Sequence, residues 1–228
     1  MAISVDKVYQ KILALTNKEQ RGYITPQEFN LLADQAQMEI FEQYFYDQNQ
    51  ADRNLKNSTE FSNVDEMLDE KISVFKAQMQ ITIASSVGHL PWDMYRLGMI
   101  SDLNGVELEQ LTEEEVLFLD LSPLTKPSLG FPAFVRATHG TIKTYPQVPT
   151  VQCNYIRRPF RPEWTYVVVN DQALYNPNSL TKDFELHDSD ETELVYKILS
   201  LAGITIAKPG LGTYAEQQIT AQKTQEKQ

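Results

Sequence analysis

The stretch TPQEFNLLADQAQMEIFEQYFYDQNQ, Thr25 to Gln50, decides the fold. Thr25 stands where a helix N-cap accepts from the first turn. Pro26 occupies the position at which a missing N–H costs nothing, and Glu28 is spaced to reach back and close a capping box. Ile24 before the cap and Phe29 after it have the spacing of a hydrophobic staple. Phe29, Leu32, Ala33, Ala36, Ile40 and Tyr44 recur at helical spacing, so one side of this helix faces a core. At ~100° per residue, Leu31, Met38 and Phe45 form a second apolar line roughly opposite the first, with Phe41 between the two. One small domain covers only one such face easily. The second requires another layer of the same chain or another molecule. Leu31, Met38, Phe41 and Phe45 are therefore the expected subunit-interface residues.

Upstream, Val5, Val8, Ile12 and Leu15 predict a short helix from Ser4 to about Asn17 with one narrow apolar side. The polar link through Gly22 turns the chain into the Thr25 cap, which predicts a helical hairpin. Downstream, 47–63 is polar and reads as a loop or linker. The period then changes. Met79, Ile81 and Ile83 alternate as in a half-buried strand, ended by Leu90-Pro91-Trp92. Asn104-Gly105, between Tyr95–Leu103 and Val106–Leu111, is the strongest hairpin signal. Thr112 and Glu115 form a second capping box before a turn or two of helix at Val116–Leu119, and a proline-rich loop follows. His139-Gly140 marks another hairpin. Val151, Cys153 and Tyr155 alternate along the next strand, and Trp164–Val169 opens a further one. Asp190 and Glu193 are spaced as a third capping box. Leu194, Val195, Ile198, Leu199, Leu201 and Ala202 give that last helix an apolar face, Gly203 is its expected C-terminal cap, and Ile204-Thr205-Ile206 extends away.

The fold class expected is α+β. The N-terminal helical hairpin and the C-terminal helix (1–63 and 188–228) form a bundle with a polar C-terminal tail, and 64–187 forms an antiparallel sandwich or barrel-like region.

With 228 residues the chain can bury a sizeable core, and its formal net charge of −11 argues against a surface that coats nucleic acid. No apolar run approaches the ~20 residues needed to span a bilayer, and the first residues lack a signal peptide's basic and apolar regions, so no membrane partner is expected. The lone Cys153 excludes an intramolecular disulfide and reads as a small buried apolar residue.

Chemistry is poorly represented. His89, His139 and His187 lie far apart without a ligand partner at helical spacing, so no metal site is expected. There is no nucleophile elbow and no phosphate-cradling glycine loop, so neither catalytic nor cofactor-binding residues are assigned. Asp93, or Glu113 to Glu115, would serve a glycosidase only if folding set two carboxyls ~5 to 10 Å apart. The simpler reading of the glutamates is a helix start favoured by the dipole. Arg157, Arg158 and Arg161 with Phe160, Trp164 and Tyr166 make a basic and aromatic cluster suited to a partner's carboxylates or, less readily, to nucleic acid. Tyr214 and Ile219, widely spaced on the polar tail, are candidate contacts to a neighbour.

The run KILALTNKEQRGYITPQEFNLLADQAQMEIFEQYFYDQ, together with VQCNYIRRPFRPEW and DFELHDSDETELVYKILSLAGITI, resembles head-to-tail connector proteins of crAss-like tailed bacteriophages. That resemblance implies a non-enzymatic virion subunit, assembled in the host cytoplasm and located at the neck beneath the portal. It implies a homo-oligomeric, dodecameric ring contacting the portal protein and a downstream tail or neck ring protein, without cofactor. DNA would pass through its lumen during packaging and ejection without sequence-specific binding. Another tail or baseplate ring, a virion-associated carbohydrate-active protein and an injected host-directed regulator are the alternatives.

Overall fold

The computed structural model describes residues 2–18, 24–54, 62–170, 172–178 and 180–205, with Gln217 and Thr220 beyond them. In chain order the elements are α1 (Val5–Lys18), α2 (Pro26–Asn54), α3 (Ser62–Ser73), β1 (Lys76–Thr82), β2 (Val87–His89), β3 (Met94–Asp102), β4 (Glu109–Leu111), α4 (Glu113–Asp120), β5 (Ala133–Ala137), β6 (Thr141–Tyr145), β7 (Thr150–Arg157), β8 (Tyr166–Val169), β9 (Gln172–Tyr175) and α5 (Glu191–Thr205). The class is α+β. The chain divides into two compact units, Met1–Val74 with Pro159–Gln228, and Phe75–Arg158.

The first unit is built on α2. Its start has the expected capping box: Glu28 N–H donates to Thr25 Oγ1 at 3.3 Å and Thr25 N–H donates to Glu28 Oε2 at 3.0 Å. The Thr25 backbone N–H and hydroxyl hold the Glu28 carboxyl below its ordinary range. Ile24, Phe29, Ala33, Ala36, Ile40 and Tyr44 are buried. Both α3 and α5 pack against α2, and α1 packs against α5. On the predicted face of α5, Leu194, Val195, Ile198, Leu199 and Ala202 are buried and Leu201 is half-buried.

Three expectations need correction here. The polar stretch after Asp47 continues α2 to Asn54, and a further helix, α3, starts at Ser62 and buries Leu68 and Ile72. That helix is the extra layer of the same chain that a two-sided α2 required. Consequently Phe41 and Phe45, expected at a subunit interface, are 0 % and 2 % exposed within this unit. Gly203 does not end α5, which continues through Ile204 to Thr205, because tertiary burial overrides one unfavourable helical glycine.

The boundary between units also shifts from the expected one. Asn30 and Gln37, seven residues apart and so on one face of α2, use both ends of their amides to hold the extended chain after Arg158. Asn30 Oδ1 accepts from Trp164 N–H at 2.9 Å while its Nδ2 donates to Trp164 O at 3.2 Å. Gln37 Nε2 donates to Phe160 O at 2.7 Å and its Oε1 accepts from Glu185 N–H at 3.1 Å. Trp164 packs its ring 4.4 Å from Tyr9 and donates its indole N–H to Asp6 at 2.9 Å. Hence 159–187, read as part of the β-rich region, belongs with the helices, as does α3.

In the second unit β1, β7 and β3 form an antiparallel sheet in the order β1-β7-β3, and β2, β6, β5 and β4 form another in the order β2-β6-β5-β4. Pairing is antiparallel except between β4 and β5, which run parallel. Ile81, Ile100, Val151 and Cys153 from the first sheet and Phe134 and Ile142 from the second share one core, which makes a small sandwich. The Asn104-Gly105 turn forms, with Gly105 at φ 82° and Asp102 N–H donating to Val106 O at 2.7 Å. Its return arm crosses to the second sheet as β4. Met79, expected to alternate inward, is exposed on the edge strand β1. Two glycines permit close approaches. A Cβ on Gly88 would lie 2.4 Å from Ile83 Cδ1, and one on Gly98, at a bulge of β3, would lie 2.8 Å from the Asn154 carbonyl oxygen.

Candidate functional site

The surface most unlike an ordinary solvated one is a lobe of the second unit, between β4 and β5. Glu109 N–H donates to Pro132 O at 3.0 Å, and the parallel pairing of β4 with β5 closes the base. From that base Thr112 caps α4: its hydroxyl accepts from Glu115 N–H, and Glu115 returns a carboxylate to Thr112 N–H at 2.8 Å. These bonds from Thr112 hold the Glu115 carboxyl low. Lys126 lies 2.9 Å from Asp120, Lys126 N–H donates to Ser122 O at 3.1 Å, and Ser128 and Phe131 exchange backbone bonds of 3.2 and 3.0 Å. The lobe is therefore internally bonded along its length.

Its exposed side chains include an unusual share of large apolar ones. Val116 is buried, but Leu117, Phe118, Leu121, Leu124, Leu129 and Phe131 are 69 to 97 % exposed. On α4, Leu121 follows Leu117 by four residues and Phe118 by three, so these three share a face. At ~200 Å² for a large apolar side chain, the six leave on the order of 900 Å² of apolar surface in water. That sum is comparable with the ~800 Å² one partner contributes to a stable interface.

A smaller surface of the same kind lies in the first unit. The β8–β9 hairpin exposes Val167, Val168, Val169 and Leu174. Its base is held by Trp164, stacked 5.7 Å from Tyr166 and 5.8 Å from Tyr175. A two-stranded ribbon is marginal alone, and this anchoring presents it as a projecting arm.

Of the expected interface residues on α2, Leu31 is 62 % exposed and Met38 is half-buried, while Phe41 and Phe45 are core. The arginines divide between the units, Arg157 and Arg158 in one and Arg161 in the other. Arg158 and Arg161 are exposed and Arg157 is half-buried, with its guanidinium donating to Arg158 O at 3.4 Å. Arg96 and Arg158 both lie over the Tyr95 ring, at 5.8 and 6.0 Å. Tyr214 and Ile219 fall outside the described residues, as do the link through Gly22 and the sequence beyond Thr205 apart from Gln217 and Thr220.

The residues weighed for chemistry have structural surroundings. Burial pushes the Cys153 thiol up to about 11, far from a reactive thiolate. His187 Nδ1 accepts from Ser189 N–H at 3.3 Å and caps the turn that leads into α5. Asp93 accepts from the Tyr155 hydroxyl at 3.3 Å. Burial, then the charge and hydrogen bond of Asp93, raise that phenol above its ordinary value. Asp190 takes the hydroxyl of Tyr44 and the ammonium of Lys71. Among the described residues no group of three or more His, Cys, Asp or Glu is placed to hold a metal ion, and no helix is long and apolar enough to cross a membrane.

The apolar lobe was missed in the sequence because α4 is too short to show a periodic face. The available signal is density alone: seven large apolar residues from Leu117 to Phe131. Neither a scan of family models nor a search of curated proteins returns a match to this sequence.

Proposed function

We propose that this chain is a non-enzymatic structural subunit of a tailed-phage virion, a head-to-tail adaptor that forms a ring beneath the portal and continues the DNA channel. The observation that carries the reading is the lobe. An internally bonded segment with about one interface's worth of apolar surface is built for assembly, because water around it is replaced by protein at a gain of roughly 25 cal/mol per Å². The resemblance of three separate stretches, within α1–α2, from β7 to Trp164 and from Asp183 through α5, supplies the kind of assembly. A net charge of −11 is suited to a channel wall from which DNA slides without sticking.

The testing experiment mixes the full chain with portal protein under assembly conditions and images the product in negative stain. Twelve-fold rings seated on portal are expected. A chain that never associates with portal, and is absent from the neck of labelled virions, overturns the assignment. Finding it in the tail or baseplate would move it to another ring of the particle.

A further inference from the structure

The lobe's composition restricts what can cover it. Glu113 and Glu114 stand one helical turn before Leu117 and Phe118, so the apolar face of α4 is bordered on that side by exposed carboxylates. A partner must therefore offer apolar or aromatic surface together with positive charge. Covering the lobe with another acidic face would bury like charges against each other.

The same unit carries that complement. Trp92 is 88 % exposed at the start of the turn into β3, and the next residue, Asp93, accepts Arg158 N–H through its backbone carbonyl at 2.8 Å. Tyr95 lies under the guanidinium groups of both Arg96 and Arg158. Arg157 adjoins them, and the carboxylate of Asp93 offsets part of this charge. In a chain with 31 acidic and 20 basic residues, such a group of arginines beside an exposed tryptophan is a local concentration of basic side chains.

We infer that the α4 lobe of one copy docks on the Trp92–Tyr95–Arg158 patch of the next copy. This deepens the ring reading and rests on it for the partner's being another copy. Lobe and patch use different residues, so the contact is heterologous: every copy gives one surface and receives on the other. Such contacts continue from copy to copy until a ring closes. Leucine and phenylalanine side chains of the lobe cover Trp92 and Tyr95, and Glu113 and Glu114 face Arg96 and Arg158. The charges set register and encounter rate while the apolar area supplies affinity.

The test is a charge swap in the full chain, read by light-scattering mass over a concentration series. One variant carries Glu113→Arg and Glu114→Arg, and the other carries Arg96→Glu and Arg158→Glu. Circular dichroism checks that each folds. The wild type is expected to exceed the 26.1 kDa of one chain. Each variant alone should associate at least about tenfold more weakly, since like charges then meet. An equimolar mixture should recover association, because the reversed lobe fits the reversed patch and the unaltered pair remains. A third variant, Leu121→Asp, stays monomeric and is not recovered by mixing.

A wild type that remains monomeric, variants that associate like it, or a mixture without recovery overturns the contact. The ring reading fails separately. Rings that form on portal regardless of these charges leave the adaptor standing and remove the lobe-to-patch contact. No rings with any chain remove the adaptor.

Discussion

The ammonium of Lys71 on α3 lies 2.7 Å from the carboxylate of Asp190, which is 1 % exposed at the entry to α5 and also accepts the hydroxyl of Tyr44 on α2. Three helices thus meet on one buried carboxylate. Spacing alone suggested a capping role for Asp190, whereas its carboxylate joins helices far apart in sequence.

Asp190→Ala leaves both Lys71 and Tyr44 without this acceptor inside the bundle. The predicted loss is about 3 kcal/mol of stability, measured by urea unfolding of the full chain. A loss within a few tenths of a kcal/mol would mean that the junction does not tie the helices together.

Thr25→Ala removes the side-chain acceptor at the start of α2, and a cap of this kind is worth about 1 kcal/mol. Thr25→Ser keeps the oxygen and should be close to neutral. Equal destabilisation by both would place the effect in the methyl group rather than the cap.

Gly98→Ala pushes a methyl group to 2.8 Å from the Asn154 carbonyl oxygen, and backbone must move to admit it. We expect a loss of about 1 to 3 kcal/mol in the sandwich. Gly130→Ala, with nothing within 4 Å of the added carbon, should be tolerated. Thermal unfolding of the two variants side by side checks the pair.

Glu191 receives Lys11 at 2.6 Å and Lys7 at 2.9 Å. Burial pushes its carboxyl up, but the hydrogen bonds and charges of the two lysines outweigh this and hold it below 4.5. A carboxyl depressed in the folded state stabilises fully above its unfolded value, and that contribution is lost as pH falls through the folded value. The stability difference between wild type and Glu191→Gln should therefore be constant from neutral pH down to the ordinary glutamate range, then shrink in stronger acid. A difference that grows on acidification contradicts the clasp.

Local signals are legible where the chemistry is local. The Thr25 and Thr112 capping boxes, the Asn104-Gly105 turn and the alternation of Val151, Cys153 and Tyr155 each depend on residues a few positions apart. The side that a residue faces in three dimensions was less legible. Phe41 and Phe45 looked like a spare face because α3 was hidden in a polar, charge-rich stretch where Leu68 and Ile72 were the main apolar anchors. Asn30 and Gln37 carry no apolar or capping signal on α2, yet their amides bind the returning chain. The lobe was hidden for the opposite reason: Leu117 to Phe131 are apolar, and nothing local distinguishes an apolar residue awaiting a partner from one in a core.

The most direct test of the assembly account is oxidative footprinting of the lobe in free chain and in rings assembled on portal. Leu117, Phe118, Leu121, Leu124, Leu129 and Phe131 should label strongly in chain diluted to the monomer and become protected in the ring. Equal labelling of these residues in both states would contradict the account, because the lobe would then remain in water after assembly.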